Sequence, residues 1–319
     1  MSTSVLQRRR RSEVQVILKY KMPVLIALTA VVLYRIFQVS SWGWACLAVL
    51  VLALIGTQKD MKSISWEQFL PAGLIALTVF YLIYENGGPM WDKVVQWQFH
   101  SINRAFDWNA TFNSIPFNDA KFMRLWQPEW LTKYFSWVYM YGFTLSYWVC
   151  VIRAFFTKDV KKLALYAMAG YLLQVPLILP FYNTILLQEV WFVQGTPDLL
   201  QRMMSPEQAY TTAWNCFPSM HTSIAFAAIL LALREKSRWY KVVILSYCSS
   251  IIIATMYLKI HWVIDVFAGM AFAFLCVKLA DWIVGARWFK SFTLKFEGLL
   301  MRDVAPPQPT ATQLSTPIE

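Results

Sequence analysis

Apolar runs of about fifteen to twenty-five residues alternate with shorter polar segments along this chain, and none shows the dyad alternation of barrel strands. A hydrocarbon core of roughly 30 Å takes about 20 helical residues to cross. Backbone groups in lipid must be satisfied within their own segment, so the runs predict helical spans. They fall at residues 22–39, 42–56, 69–84, 131–156, 163–187, 218–233, 241–258 and 262–284. The second is short and follows the first across only Ser40 and Ser41, and the expected architecture is an all-α polytopic transmembrane bundle of about 6–8 spans. Between the third and fourth runs lie Trp91, Trp97, Phe99, Phe106, Trp108, Phe112, Phe117, Phe122 and Trp126. Aromatics of that density suit helices at headgroup level, which predicts a helical, aromatic cap on the extracytoplasmic side.

Composition agrees with a membrane protein. Of 319 residues 58% are hydrophobic and 17% aromatic, more apolar material than a soluble domain of this length needs. The formal charge of +11 could suggest a nucleic-acid partner, but the cations are spread in small clusters between apolar runs and read as topology signals. No nucleic acid is expected. Arg8 to Arg11, Lys59 with Lys62, Arg153 with Lys158, Lys161 and Lys162, Arg234 with Lys236, Arg238 and Lys241, and Arg287 with Lys290 all fall on one side of an eight-span chain. That side, with both termini, is expected to be cytoplasmic. No small-residue cleavage site follows the first run, so Arg8 to Arg11 anchor it rather than open a signal peptide. Residues 1–130 form the N-terminal helices with the interfacial outer segment, 131–284 the helical core, and 285–319 a cytoplasmic tail disordered from about 303. Four of the five cysteines lie within apolar runs and no disulfide framework is implied; Cys216 is the one expected near solvent.

Two polar stretches carry candidate chemistry. One is Asn215-Cys216-Phe217-Pro218-Ser219-Met220-His221, the other Thr255-Met256-Tyr257-Leu258-Lys259-Ile260-His261-Trp262-Val263-Ile264-Asp265. Two of the chain's three histidines sit here, each at the mouth of an apolar run. Asp265 follows His261 by four residues, so on a helix the two share a face and the carboxylate can accept an imidazole N–H. The imidazole then has a fixed tautomer and a free second nitrogen, suited to nucleophilic attack or proton transfer. His221 supplies a second acid/base, and both histidines open towards the outer side. The third, His100, lacks a carboxylate at helical spacing and reads as interfacial.

These stretches resemble the type 2 phosphatidic acid phosphatase superfamily of membrane lipid phosphatases and phosphotransferases. Phe217-Pro218-Ser219-Met220-His221 is similar to its Pro-Ser-Gly-His motif, and His261-Trp262-Val263-Ile264-Asp265 to its final His-x-x-x-Asp. Thr255-x-Tyr257-Leu258 before His261 resembles the inositol phosphorylceramide synthase branch, as do Tyr171-Leu172-Leu173-Gln174 and Leu179-Pro180-Phe181-Tyr182. The resemblance covers residues 131–284. It implies that His261 attacks a phosphoester to form a phosphohistidine, that Asp265 orients it, and that His221 protonates the departing oxygen and then activates water or an acceptor hydroxyl. It implies membrane-lipid partners and no metal or other cofactor, and an extracytoplasmic or lumenal site. The Lys-x6-Arg-Pro motif of the phosphatases is missing, and Ala254-Thr255 stands where Ser-Arg is usual. Lys259, Ser219 and Thr255 are therefore the candidate phosphate-binding residues, with Arg202 a further candidate and Arg153 read as a topology signal. Two other readings stay open: a lipid-phosphate or polyprenyl-pyrophosphate phosphatase, and a membrane scaffold or transporter with a degenerate site.

Overall fold

The computed structural model describes residues 40–301, with side chains from 45 to 298. The chain divides into two compact units, Met1–Val51 and Leu52–Glu319. The expected span at 22–39, the basic start and the tail from 303 lie outside the described residues. Helix α1 (Ser40–Leu54) begins in the first unit and ends in the second. The second unit continues with α2 (Trp66–Ser101), strand β1 (Phe106–Asp107), α3 (Asn109–Ser114), α4 (Glu129–Phe156), α5 (Val160–Thr184), β2 (Ile185–Leu186) and α6 (Val190–Val193). It ends with α7 (Pro206–Thr212), α8 (Met220–Ala232), α9 (Arg238–Tyr257), α10 (Val263–Gly285) and α11 (Arg287–Met301). The two short strands pair in parallel, Phe106 opposite Ile185.

The fold is mostly helical, and α2, α4, α5, α9 and α10 are each long and apolar enough to cross a membrane. This is consistent with an integral membrane protein; α8 and residues 45–54 of α1 form shorter apolar helices. The centre of the unit is α8, packed on α9, α10 and α4. Its sequence explains the position. Ile224, Ala225, Ala227, Ala228, Leu231 and Ala232 bury almost completely, and small apolar side chains around the helix let three neighbours approach at once. Ser219 caps its start by accepting the Thr222 N–H, as Ser237 caps α9 by accepting that of Tyr240.

The helices follow the expected runs within a few residues, with three departures. The run expected to stop at Tyr84 continues as α2 through Gly87, Gly88 and Pro89 to Ser101, 36 residues in all. Tertiary contacts hold that extension: a Cβ on Gly87 would lie 2.5 Å from the Tyr171 hydroxyl, and Gln98 donates to Asn183 Oδ1 at 2.7 Å. The aromatic segment expected to form a cap is thus partly the far end of α2 and partly β1, α3 and a helical turn at Lys121–Arg124. Within α5, residues Met168–Leu172 widen into a π-helical turn, where Gln174 Nε2 donates to the Ala169 carbonyl at 2.7 Å. Finally α11 forms in the segment read as tail, with Phe289 and Phe296 half-buried and Thr293 buried.

At the end of α8 away from His221, Arg153 is fully buried and ties several segments together. Its Nε donates to Glu235 Oε2 at 3.0 Å, Nη2 to Asp60 Oδ2 at 2.6 Å, and Nη1 to the Ala53 and Ile55 carbonyls at 3.0 and 2.8 Å. Glu235 also takes Lys162 at 2.6 Å and the Tyr166 hydroxyl, and Lys62 pairs with Asp159 at 3.0 Å. Several of the basic clusters expected to share a side therefore meet.

Candidate active site

The loop between α9 and α10 places His261. Thr255, in the last turn of α9, offers its carbonyl to the backbone N–H groups of both Ile260 and His261 at 3.0 Å, with Lys259 turning the chain at φ 60°. The first two residues of α6 then brace the loop, Val190 N donating to Ile260 O at 3.2 Å and Trp191 N to Lys259 O at 3.0 Å. The start of α10 is held by Asn118, whose carbonyl accepts the Val263 N–H at 2.8 Å and whose Oδ1 accepts that of Ile264 at 3.0 Å. Asn118 is a cap supplied from another segment.

On this frame His261 Nδ1 donates to Asp265 Oδ2 at 2.6 Å, the i to i+4 pair expected from the spacing. The same oxygen accepts the Cys216 thiol at 3.2 Å and the Trp262 N–H at 3.3 Å, while Asp265 Oδ1 is buried without a partner. His261 Nε2 makes no side-chain hydrogen bond among the described residues, and the Cys216 backbone also hydrogen-bonds the imidazole. Burial pushes the imidazole towards its neutral form, but the Asp265 carboxylate, by charge and hydrogen bond, outweighs it and leaves the His261 pKa raised.

The second stretch reaches the site through a turn with a cis Phe217-Pro218 bond. A glycine makes the approach feasible. A Cβ on Gly269, one turn after Asp265, would sit 2.6 Å from the Ser219 carbonyl, so only a residue without one lets the turn lie against α10. His221 then stands with its ring centroid 6.2 Å from that of His261. It is held by stacking, with Tyr139 at 4.3 Å and 20° and Phe143 at 4.8 Å.

The candidate phosphate residues separate. The Ser219 hydroxyl donates to Thr222 Oγ1 at 2.9 Å and that of Thr255 to the Ile252 carbonyl at 2.7 Å, both fully buried, so each serves the backbone around it. Lys259 stays half-buried beside Arg124 and Asp119; burial first, then the Arg124 charge, lowers its pKa. Arg202 bonds Asp198 Oδ2 at 2.6 Å and Glu189 Oε2 at 2.7 Å. Burial opposes the Arg202 charge and the two carboxylates hold it on, raising its pKa.

Cys216 overturns an expectation. It is 1% exposed and lies inside the site, whereas Cys46 is exposed; an apolar surrounding of Phe112, Leu187, Val190 and Trp262 buries the thiol. Burial, then the Asp265 charge, raises its pKa. With His261 and Asp265 it brings three metal-capable donors within 4.8 Å of one another. Cys216, Tyr139, Asn118 and Gly269 carry no motif of their own, and the i, i+4 spacing of Tyr139 and Phe143 is lost among the many aromatics of α4.

A helical fold with apolar spans and a buried His–Asp pair facing a second histidine defines a class that the comparisons narrow. Residues 191–289, which contain both stretches, match the PAP2 superfamily and form a domain of that kind. Members are generally phosphatases and phosphotransferases acting on lipid phosphates, which supports an enzyme with lipid partners. The match begins at Trp191, not at 131, and does not single out the inositol phosphorylceramide synthase branch. Over 217 residues the chain is 23% identical to an uncharacterised protein of Methanocaldococcus jannaschii, covering 64% of this chain and 82% of that one. No solved structure matches it.

Proposed function

We propose that this protein is a membrane-embedded lipid phosphotransferase that works through a phosphohistidine on His261. The observation that carries the reading is the 2.6 Å bond from His261 Nδ1 to Asp265, which leaves Nε2 as the free nitrogen on a ring facing His221. Nε2 attacks the phosphorus of a lipid phosphoester, and the bond to the departing oxygen breaks as His221 donates a proton to it. His221 then takes the proton of an acceptor hydroxyl or water, whose oxygen attacks the phosphohistidine and restores His261. Dividing the displacement in two and placing an acid/base beside it is worth about 10²–10⁴ in rate for the proton transfer alone. Asp265 fixes the tautomer and balances the charge that builds on His261.

Arg202 and Lys259 are the cations proposed to meet the phosphate, with the positive end of the α8 dipole; Ser219 and Thr255 position the loops. Glu189 and Asp198 hold the Arg202 guanidinium in place. Basic clusters at the far end of the bundle support an extracytoplasmic or lumenal site with cytoplasmic termini.

The test uses detergent-purified protein with phospholipids, lipid phosphates and polyprenyl pyrophosphates, with and without ceramide or diacylglycerol. Mass spectrometry is expected to find a new headgroup-bearing lipid that His261→Ala abolishes, with an acid-labile phosphoryl group trapped on His261. Turnover that survives His261→Ala removes the mechanism. Free phosphate as the sole product makes the protein a phosphatase, and silence across the panel favours a scaffold or transporter.

A further inference from the structure

We infer that Cys216, His261 and Asp265 form a site for a borderline-soft divalent cation of the zinc class, and that occupancy switches the proposed nucleophile off. The switch rests on the function proposed above, whereas the site rests on geometry alone. The donor atoms stand at 3.3 Å (Cys216 Sγ to His261 Nδ1), 3.2 Å (Cys216 Sγ to Asp265 Oδ2) and 2.6 Å (His261 Nδ1 to Asp265 Oδ2). Zinc–ligand lengths of about 2.3 Å to sulfur and 2.0–2.2 Å to nitrogen and oxygen put the edges of a tetrahedral face at roughly 3.4–3.6 Å. Two edges therefore need to open by about 0.3 Å and the third by about 0.8 Å, within rotation of three side chains. A thiolate–imidazole–carboxylate set is what zinc or cobalt prefers over magnesium or calcium.

A second observation points the same way. Asp265 is fully buried, yet its Oδ1 is without a hydrogen-bond partner among the described residues, and a carboxylate can turn such an oxygen to a metal. A dication with one thiolate, one carboxylate and a neutral imidazole is neutral overall, which suits a buried site.

The protons balance as follows. The ion takes the Nδ1 lone pair, so the Nδ1 proton must leave that nitrogen, and a neutral imidazole then carries its proton on Nε2. The Cys216 thiol loses its proton on becoming thiolate. One proton is released per ion bound, and the nitrogen that would attack phosphorus becomes an N–H donor. The metal thus acts through the tautomer rather than by blocking the pocket.

Cobalt is the probe. Full-length protein in detergent is titrated with Co2+ and, separately, with Zn2+, following the near-ultraviolet thiolate-to-cobalt band, bound metal per chain and proton release. We expect one ion per chain, one proton released, a thiolate band lost in both Cys216→Ser and Cys216→Ala, and displacement of Co2+ by Zn2+. Thermal unfolding without metal checks that both variants fold; if neither does, Asp265→Asn, which must lower Co2+ affinity at least tenfold while the thiols remain, takes their place. A band that persists without Cys216, or no binding by the wild type, overturns the site. With a lipid activity in hand, Zn2+ must inhibit and a chelator restore it, and full turnover with metal bound overturns the switch. Metal bound as expected in a protein that turns over no lipid leaves the site standing and removes the proposed function.

Discussion

Two buried polar clusters sit at the two ends of α8, about 20 Å apart along a 13-residue helix, and they are built on opposite principles. At the far end every polar atom of Arg153 is engaged: two carboxylates and two carbonyls take its N–H groups, and Tyr240 lies 3.8 Å beneath the guanidinium. At the near end three donors crowd one oxygen of Asp265, the other oxygen has none, and His261 Nε2 is left open. Saturated bonding gives a rigid tie between helices. Unsaturated bonding costs stability and leaves capacity for a substrate, a proton or an ion. In an apolar bundle it is the incompletely satisfied buried polar cluster that retains the capacity for chemistry.

Breaking each cluster should therefore give different phenotypes. Arg153→Ala strands Glu235 and Asp60 and is expected to cost about 3–5 kcal/mol, read as a large fall in thermal stability in detergent. Arg153→Lys should recover little of it, because an ammonium cannot reproduce the fork. Asp265→Asn should leave thermal stability within about 1 kcal/mol yet cut turnover by on the order of 10²–10⁴, since the amide no longer fixes the His261 tautomer as a carboxylate does. Equal stability losses in the two variants would erase the contrast.

Gly269→Ala sharpens it. The added carbon meets the Ser219 carbonyl, and overpacking of this kind costs roughly 1–3 kcal/mol, but turnover should fall further because His221 is carried away from His261. A variant with lowered stability and unchanged turnover would dissociate Gly269 from the site. The smallest effect is on pH. Burial pushes the Asp60 carboxyl up, and the Lys236 N–H and the Arg153 guanidinium pull it further down, so its pKa is lowered. A lowered carboxyl contributes stability above its unfolded value, near about 3.9, and loses it as pH falls through the folded one. Wild type should therefore lose stability through that acid range more steeply than Asp60→Asn in a pH series of thermal midpoints.

Periodicity made the helices readable because a span's length and apolarity are local properties. Seven of the eight expected runs fall on described residues and coincide with α1, α2, α4, α5, α8, α9 and α10. The overrun of α2 was hidden because Gly87, Gly88 and Pro89 argue locally for a break, and only Tyr171 and Asn183, far along the chain, override them. The His261–Asp265 pair was legible from its four-residue spacing, although His261 meets Asp265 from the loop before α10 rather than from the same helical turn. Cys216 was not: its position depends on a loop folding against a turn 45 residues later, and no spacing rule encodes that. The tie around Arg153 was not legible either, because a cation between apolar runs looks the same whether it faces water or completes a buried network.

The length of α2 has a mechanical side. Its 36 residues make a rod of about 54 Å, against a hydrocarbon slab of roughly 30 Å. Its far end is fastened, because Gln98 bonds both Asn183 and Asn215, and Asn215 is the neighbour of Cys216. A slab that thins or thickens changes the lean of such a rod. Through Gln98, the far end of the rod and the turn that carries Cys216 are fastened to each other.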